Sequence, residues 1–382
     1  MSHTKNNFLG AIAILIGNIV GAGVFGLPYV VSRAGFLAGL VHLVILGFVV
    51  WITTLAYGEV VLRTKSKHQL PGYAERYLGK WGKGIVMFSL IFGIYGALIA
   101  YAIEVGNFLS VLLEPFLPLP AFTYGLIFYA IASFLIWFGL KTVAKIEMFM
   151  VFMLLFVIIL IAWIGVPEIN TDNLVTFYAA NMFLPYGVIL FAFAGASAIP
   201  SVAEILKNRR DLVKKAITAG ILLPFVVYFI FVLVVVGVTG EDTTEGAVEG
   251  LGAVLGSAVL NVGAIFGVLS MTTSFLILGY VLREIYQLDY KLPKIAAWFL
   301  VVIFPLIIYI LRLTTFIETM GLVGAVMGGF DGIIILLMHK KVQRYGIRNK
   351  SPFTLHMPEP VRILLMTLFA CGIVYEIYFL LF

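Results

Sequence analysis

Residues 17–28 read Gly-Asn-Ile-Val-Gly-Ala-Gly-Val-Phe-Gly-Leu-Pro, inside the first apolar segment of the chain. Glycine lowers the cost of unwinding a helix, and proline suits the first turn of a helix that restarts. A second stretch, residues 193–200, reads Phe-Ala-Gly-Ala-Ser-Ala-Ile-Pro and repeats the spacing, because Pro follows Gly by five positions both from Gly23 to Pro28 and from Gly195 to Pro200. The sequence therefore predicts two interrupted helices, about half a chain length apart.

The composition places both interruptions in a membrane. The 382 residues are 62% hydrophobic and 12% charged, whereas soluble domains are roughly 45–50% apolar and about 25% charged. The apolar runs lack the period-two alternation of an outer-membrane barrel. We therefore predict an all-α polytopic membrane protein with eleven transmembrane helices, the first of them a retained helix. The predicted segments are 8–32, 36–62, 84–113, 120–139, 142–166, 176–205, 214–239, 252–286, 293–311, 314–338 and 360–382.

The basic residues predict an orientation for these segments. When the segments alternate across the membrane, all of the 25 Lys and Arg residues except Arg33 and Arg312 fall on one side. Two loops on the other side are acidic, around Glu168 and over residues 241–249. By the positive-inside rule, the protein lies in the cell membrane with its N-terminus cytoplasmic and its C-terminus extracellular. The net charge of +6 therefore requires no nucleic-acid partner.

Free backbone groups at membrane depth survive only where they line a cavity or bind something. Glycine-rich packing seams between helices are the alternative explanation for a single interruption. Two interruptions at matching positions of inverted halves instead indicate the binding site of a secondary transporter. We predict one transporter domain over 1–382, with repeats at 8–166 and 176–338 and an extra helix at 360–382. Restarted helices offer N–H groups to a carboxylate, and the preceding halves offer carbonyls to an ammonium group or a metal cation.

Three motifs carry a resemblance to the amino acid–polyamine–organocation superfamily, which has the leucine-transporter fold. Residues 17–28 resemble the first-helix signature of its amino-acid permeases. Residues 191–204, with the loop 207–212, are similar to the sixth helix of the amino acid/auxin permease branch. Residues 273–276, Thr-Ser-Phe-Leu, are similar to the hydroxy and aromatic amino acid permeases. The resemblance implies amino-acid uptake by alternating access, on five-plus-five inverted repeats with helices 1 and 6 discontinuous.

The resemblance also implies the residues that bind substrate. One set of backbone amides would hold the substrate carboxylate, one set of carbonyls would receive its ammonium group, and two further residues would shape the side-chain pocket. The amides are those of Gly21, Ala22 and Gly23. The carbonyls are those of Ile19, Phe191 and Ala194, and the two pocket residues are Phe193 and Gly195.

The sequence leaves two candidates for the coupling ion, Na⁺ and H⁺. Resemblance to sodium-coupled relatives implies oxygen ligands at Gly17, Val20, Thr273 and Ser274, a set suited to a hard cation. The alternative for the two hydroxyls is a hydrogen bond to their own helix. Some proton-coupled relatives place a lysine amine from the fifth helix at this position. Residues 146–166 contain no lysine, which modestly favours sodium.

Few ionisable residues lie inside the segments. Glu104 is the deepest acidic side chain by residue count and the proton-relay candidate, with a structural hydrogen bond as the alternative. Glu59 and Asp331 lie near predicted cytoplasmic ends, where headgroups and basic loops are the expected contacts. Tyr95 and Tyr101 of the third segment either contact substrate or pack.

Other classes lack their signatures in this sequence. There is no H-E-x-x-H motif, no P-loop and no second mid-membrane aspartate to partner Asp331, which disfavours a membrane enzyme or an ATP-driven pump. No ring of charges or filter loop indicates a channel. We predict a secondary transporter that imports amino acids, neutral or aromatic, by symport with Na⁺ or H⁺ and without a cofactor. A non-transporting amino-acid sensor on the same fold is the alternative.

Overall fold

The computed structural model describes residues 2–138, 143–345 and 351–381, and its regular structure there is entirely helical. Residues 139–142, which include the ends of predicted segments 4 and 5, lie outside the described residues, as does Phe382. The helices are α1 (Ser2–Ile19), α2 (Gly23–Ala34), α3 (Phe36–Arg63), α4 (Leu70–Leu78), α5 (Lys80–Leu113), α6 (Ala121–Phe138), α7 (Val143–Gly165), α8 (Pro185–Ala192), α9 (Ile199–Ile205), α10 (Val213–Thr239), α11 (Val248–Leu255), α12 (Ser257–Leu288), α13 (Lys294–Ile310), α14 (Phe316–Val323), α15 (Gly329–Tyr345) and α16 (Glu359–Leu381).

The long helices are apolar enough to cross a membrane. Within the described ranges, eight of them pass by length and composition, and the bent pair Asn7–Ile19 and Gly23–Ala34 forms a ninth span if it is counted as one. Two shorter apolar helices, Met153–Glu168 and Lys294–Ile310, occupy predicted segments 5 and 9. The polytopic membrane class is therefore confirmed, while the number of eleven spans stays a prediction.

Several predicted boundaries were wrong, among them the end of segment 314–338, which continues as helix to Tyr345. Segment 176–205 begins later than predicted, because residues up to Asn181 form short 3₁₀ turns and α8 starts at Pro185, whose fixed φ suits a first helical turn. Segment 252–286 is two helices, because Gly256 adopts a φ of 93° that ends α11 before α12 begins. The amphipathic helix α4 was not predicted, since its apolar run is too short for a span.

Both predicted helix interruptions are present. The first lies between Ile19 and Gly23, where α1 and α2 are bent by 56°. The second lies between α8 and α9, and Pro200 occupies the first turn of α9 as predicted. Pro28 instead lies inside α2, so its predicted place in the first turn was wrong. The glycines at positions 21 and 23 already let the chain unwind and restart before the proline is reached.

The interrupted helices pack against each other at the centre of the bundle. α2 contacts α8 and α10, and α1 contacts α9 and α10. A Cβ atom at Gly23 would lie 2.6 Å from the Cα atom of Ala192, so only glycine permits this approach. α8 is also closely packed against a π-helical turn, Gly324–Gly328, which joins α14 to α15. α5 runs past this core in contact with α6, α12 and α14.

The loops separate into two sides. We call the basic side the one that carries α4 and residues 206–212, and the acidic side the one that carries residues 166–184 and 240–256. Lys141, Arg348 and Lys350, which the orientation prediction also used, lie outside the described residues. The orientation of the two sides in the membrane and the division into repeats stay predictions.

Candidate functional site

A cavity of about 300 Å³ lies where the two helix interruptions face α3, α5, α12 and α15. Ligand pockets of small molecules begin at about this size. The cavity brings together every predicted substrate and cation residue from segments distant in sequence. They are Gly17, Ile19, Val20, Gly21, Ala22, Gly23, Phe191, Phe193, Ala194, Gly195, Thr273 and Ser274.

The first interruption presents free backbone N–H groups to the cavity. The amides of Gly21, Ala22 and Gly23 donate no hydrogen bond to a described residue. They precede the twelve residues of α2, whose dipole places partial positive charge at this end. Backbone donors at a helix N-terminus are suited to an anionic group such as a carboxylate.

The carbonyl side of the site is held by Tyr228 of α10. Its hydroxyl lies 3.0 Å from the carbonyl oxygen of Ile19 and 2.9 Å from that of Ala192. The carbonyl of Phe191 accepts a hydrogen bond from the amide of Ala194 at 3.1 Å. Each carbonyl keeps a second lone pair for a ligand donor. No pattern in the sequence pointed to Tyr228, because a tyrosine in an apolar segment is ordinarily a packing residue.

The predicted pocket residues also hold the interruptions together. Phe193 is 1% exposed, and its ring meets that of Tyr228 edge to face at a centroid distance of 5.2 Å. A Cβ atom at Gly195 would overlap the side chain of Ile19. Gly23 and Gly195 therefore serve close helix packing, as the alternative interpretation of the glycines expected, in the same place where the backbone faces the cavity.

The predicted cation ligands lie together on the wall of the cavity. Among the described residues, the carbonyls of Gly17 and Val20 accept no backbone hydrogen bond. The hydroxyl of Thr273 donates to the carbonyl of Ser270 at 2.9 Å, which is the bond that the alternative interpretation predicted. A hydroxyl that donates its proton still has lone pairs for a cation, so this bond is compatible with both interpretations.

Asp331 lines the same cavity, contrary to the expectation that it meets headgroups or basic loops. Its carboxylate accepts a hydrogen bond from the hydroxyl of Ser89 on α5 at 3.0 Å. Within the described part of the chain, Asp331 makes no ion pair. The expectation was wrong because the tenth segment continues to Tyr345, so that Asp331 lies in the middle of it.

Glu104 lies outside the cavity, near the acidic side. Its side chain is fully buried and accepts a hydrogen bond from the amide of Asn107 at 3.0 Å, while its Oε1 atom packs against Gly246 without a described partner. Burial also raises the pKa of the carboxyl of Glu245, which precedes Gly246 in the chain. The hydrogen bond fits the structural alternative for Glu104, and its role in a proton relay stays a prediction.

The cavity opens towards the basic side. Asn18 and Ser197, which lie on that side of the two interruptions, are exposed and joined by a hydrogen bond of 2.8 Å. Towards the acidic side, the rings of Phe25 and Phe108 meet at a centroid distance of 5.5 Å, and both are buried. Tyr101 lines the cavity, whereas Tyr95 is bonded to Tyr286 outside it.

The helical bundle with a cavity at two interrupted helices matches a known family of membrane proteins. The tryptophan/tyrosine permease family matches residues 4–378. The chain belongs to this family. Membership identifies the permease as a transporter and not an enzyme, and it confirms the membrane class and the superfamily resemblance of the three motifs.

Individual relatives and a solved structure agree with this assignment. The permease is 27% identical to tyrosine-specific transport system 1 of Haemophilus influenzae over 73% of its own length and 72% of that protein. It is 24% identical to the tryptophan-specific transport protein of Shigella flexneri, over 62% and 59% of the two chains. The crystal structure of MhsT in complex with L-phenylalanine superposes with a TM-score of 0.68 at 16% identity, covering 97% of the permease and 98% of that chain. The fold is therefore the leucine-transporter-like fold that the motifs predicted.

Proposed function

We propose that the permease imports aromatic amino acids by cation-coupled symport, with alternating access to a central site. The observation that carries the proposal is the meeting of free amides, carbonyls and hydroxyls from three distant segments in one cavity. A free amino acid is the ligand that uses an anion site and an ammonium site together. The tyrosine and tryptophan named for two relatives favour an aromatic side chain.

In the proposed complex, the substrate carboxylate binds the amides of Gly21, Ala22 and Gly23. The ammonium group binds the carbonyls of Ile19 at the first interruption and of Phe191 and Ala194 at the second. The side chain enters a part of the cavity whose wall is largely apolar, and an aromatic ring gains about 25 cal/mol per Å² of surface that it buries there. That wall includes Leu90, Ile94, Leu190, Phe193, Ile277 and Met327.

The coupling ion in this proposal is Na⁺ or H⁺. Na⁺ would be held by the carbonyls of Gly17 and Val20 and by the hydroxyls of Thr273 and Ser274. The exposed side of the cavity is the basic side, which the distribution of Lys and Arg assigns to the cytoplasm of the cell membrane. The present conformation is then the one from which substrate is released inward.

Uptake of labelled tyrosine into proteoliposomes tests the proposal, with a Na⁺ gradient or a pH gradient imposed separately. We expect accumulation above equilibrium with at least one gradient, and competition by unlabelled tryptophan and phenylalanine. Liposomes without protein are the blank, and leucine and glutamate measure selectivity. Tyrosine binding without flux would identify a sensor instead, and flux that needs neither gradient would contradict symport.

A further inference from the structure

One carboxylate in the cavity is not used by the proposed binding of substrate or Na⁺. Asp331 is the third residue of α15 and follows the π-helical turn Gly324–Gly328 directly. Single π turns inside α-helices occur frequently at functional sites. The hydroxyl of Ser89 lies 3.0 Å from the carboxylate and 3.3 Å from the carbonyl oxygen of Met327 in the π turn. Since a hydroxyl has one proton, it serves only one of these two acceptors at a time.

The titratable groups on the helices packed around α15 do not form an ion pair with Asp331 in the described residues, and most of them have other partners. On α3, the buried phenol of Tyr57 is within electrostatic range of Asp331 and makes no hydrogen bond to a described residue. Further along, Glu59 pairs with Arg63 and with His339 of α15. The remaining groups are Lys83 of α5, paired with Glu75 of α4; Tyr73 of α4, against Tyr57; Tyr95 of α5, bonded to Tyr286; Glu376 of α16, bonded to the amide of Gly187; and Arg362 of α16 with Lys340 of α15, both paired with Glu359.

An ionised carboxylate at membrane depth without a cationic partner is costly, so such a group marks an ion or proton pathway. Either a metal cation or a proton neutralises it. The hydroxyl of Ser89 bridges the carboxylate of Asp331 and the carbonyl of Met327 as a hydrogen-bond donor, so its one proton is already shared between these oxygens. A proton needs only the carboxylate itself.

We propose that Asp331 carries a proton across the membrane together with the amino acid. This inference rests on the proposed transport function and names one residue for its coupling. A proton from water on the acidic side binds a carboxylate oxygen when the cavity faces that side, and the neutral acid loses it to water on the basic side. No other bond forms or breaks. In the present conformation the cavity is open to the basic side, where release takes place.

The test compares Asp331→Asn with the wild type in proteoliposomes that contain a pH-sensitive dye. Tyrosine and proton movements are measured on the same vesicles, so the readout is the number of protons that enter per tyrosine, whatever the rate of each variant. We expect a ratio near one for the wild type and at least a tenfold lower ratio for Asp331→Asn. Glu376→Gln is the matched control, since it neutralises a buried carboxyl outside the cavity, and it should keep the wild-type ratio.

Two outcomes of this measurement would overturn the proposal. One is a wild type that takes up tyrosine with a ratio of protons to tyrosine near zero. Transport would then stand, but it would not be coupled to protons. The other is an unchanged ratio in Asp331→Asn, above all if Glu104→Gln lowers it, because Glu104 is then the carrier. If the wild type shows no tyrosine counterflow, that is, no exchange of labelled for unlabelled tyrosine, the transport function itself is contradicted. This outcome is distinct from the two named above, in which tyrosine still moves.

A second readout covers an Asp331→Asn variant that does not transport. Tyrosine affinity in detergent is measured from pH 5 to pH 9 for the wild type, Asp331→Asn, Asp331→Glu and Ser89→Ala. Wild-type affinity should fall as pH rises, Asp331→Asn should lose this dependence, and Asp331→Glu should keep it. Ser89→Ala should move the pH midpoint upward, since the ionised carboxylate loses its one hydroxyl donor. Unaltered pH dependence in Asp331→Asn, or a folded variant that binds no tyrosine at any pH, would overturn the proposal in favour of a role in substrate binding.

Discussion

The hydroxyl of Tyr228 lies 3.0 Å from the carbonyl oxygen of Ile19, the last residue of α1. The same hydroxyl lies 2.9 Å from the carbonyl oxygen of Ala192, the last residue of α8. Tyr228 is fully buried, so its hydroxyl is shielded from solvent and its one proton serves either of the two carbonyls. One phenol on α10 therefore joins both helix interruptions at the carbonyl side of the proposed substrate site.

We expect Tyr228→Phe to weaken tyrosine binding about tenfold while the protein stays folded. The ring packing with Phe193 remains, but the carbonyls of Ile19 and Ala192 lose their common donor, which costs about 1–3 kcal/mol in free energy of unfolding. Tyr129→Phe is the control, because Tyr129 is equally buried and donates to the carbonyl of Val302 outside the cavity. Thermal unfolding and tyrosine affinity are measured in detergent. An equal loss of affinity in both variants would contradict a specific role for Tyr228.

Gly21→Val tests the amide site without disturbing the packing of the interruptions. A Cβ atom at Gly21 meets nothing within 4 Å, whereas one at Gly23 would strike the backbone of Ala192. We therefore expect Gly21→Val to fold but to lower tyrosine uptake at least tenfold, since its side chain occupies the space beside the amides. Gly84→Val is the control, because position 84 is also open and lies outside the cavity. Wild-type uptake by Gly21→Val would remove these amides from the substrate site.

The interrupted helices were predictable because their signals are local. Glycines that permit unwinding and a proline at a helix start act within one or two turns, so Gly23, Gly195 and Pro200 reveal the breaks without knowledge of the fold. The chemistry of the exposed amides and carbonyls follows directly from the breaks. The residues at the breaks line one cavity together with Thr273 and Ser274, which the resemblance to known permeases implied.

Tyr228 and Asp331 were not predictable in the same way, because their roles depend on which helix faces which. Tyr228 matters only since α10 packs against both interruptions. Asp331 was placed near a helix end by residue count, but the polar run after residue 338 is still helical, and α15 extends to Tyr345. Hydropathy marks where a segment stops being apolar and does not mark where the helix ends.

We expect Ser274→Ala to lower the apparent affinity for Na⁺ in sodium-stimulated tyrosine uptake by about tenfold. Removal of one of four proposed oxygen ligands weakens a site for a hard cation, while the substrate residues are untouched. Thr272→Ala is the control, since the hydroxyl of Thr272 donates to the carbonyl of Val268 at 2.6 Å and Thr272 does not line the cavity. Uptake is measured over a series of Na⁺ concentrations at constant ionic strength. The same Na⁺ dependence in Ser274→Ala and the wild type would count against this cation site.

Glu59→Gln should destabilise the protein far more than loss of an exposed ion pair. Glu59 binds the Nε atom of Arg63 at 2.7 Å, lies 3.0 Å from Nε2 of His339, and accepts the amide of Leu355 at 2.8 Å. The carboxylate thus joins α3, α15 and the segment before α16, and glutamine replaces one of its two acceptor oxygens by a donor that faces another donor. We expect a loss of about 3–5 kcal/mol in free energy of unfolding. Breaking the exposed Glu75–Lys83 pair with Glu75→Gln should cost about 0–1 kcal/mol. Thermal unfolding in detergent measures both, and equal small losses would show that the Glu59 group does not hold these elements together.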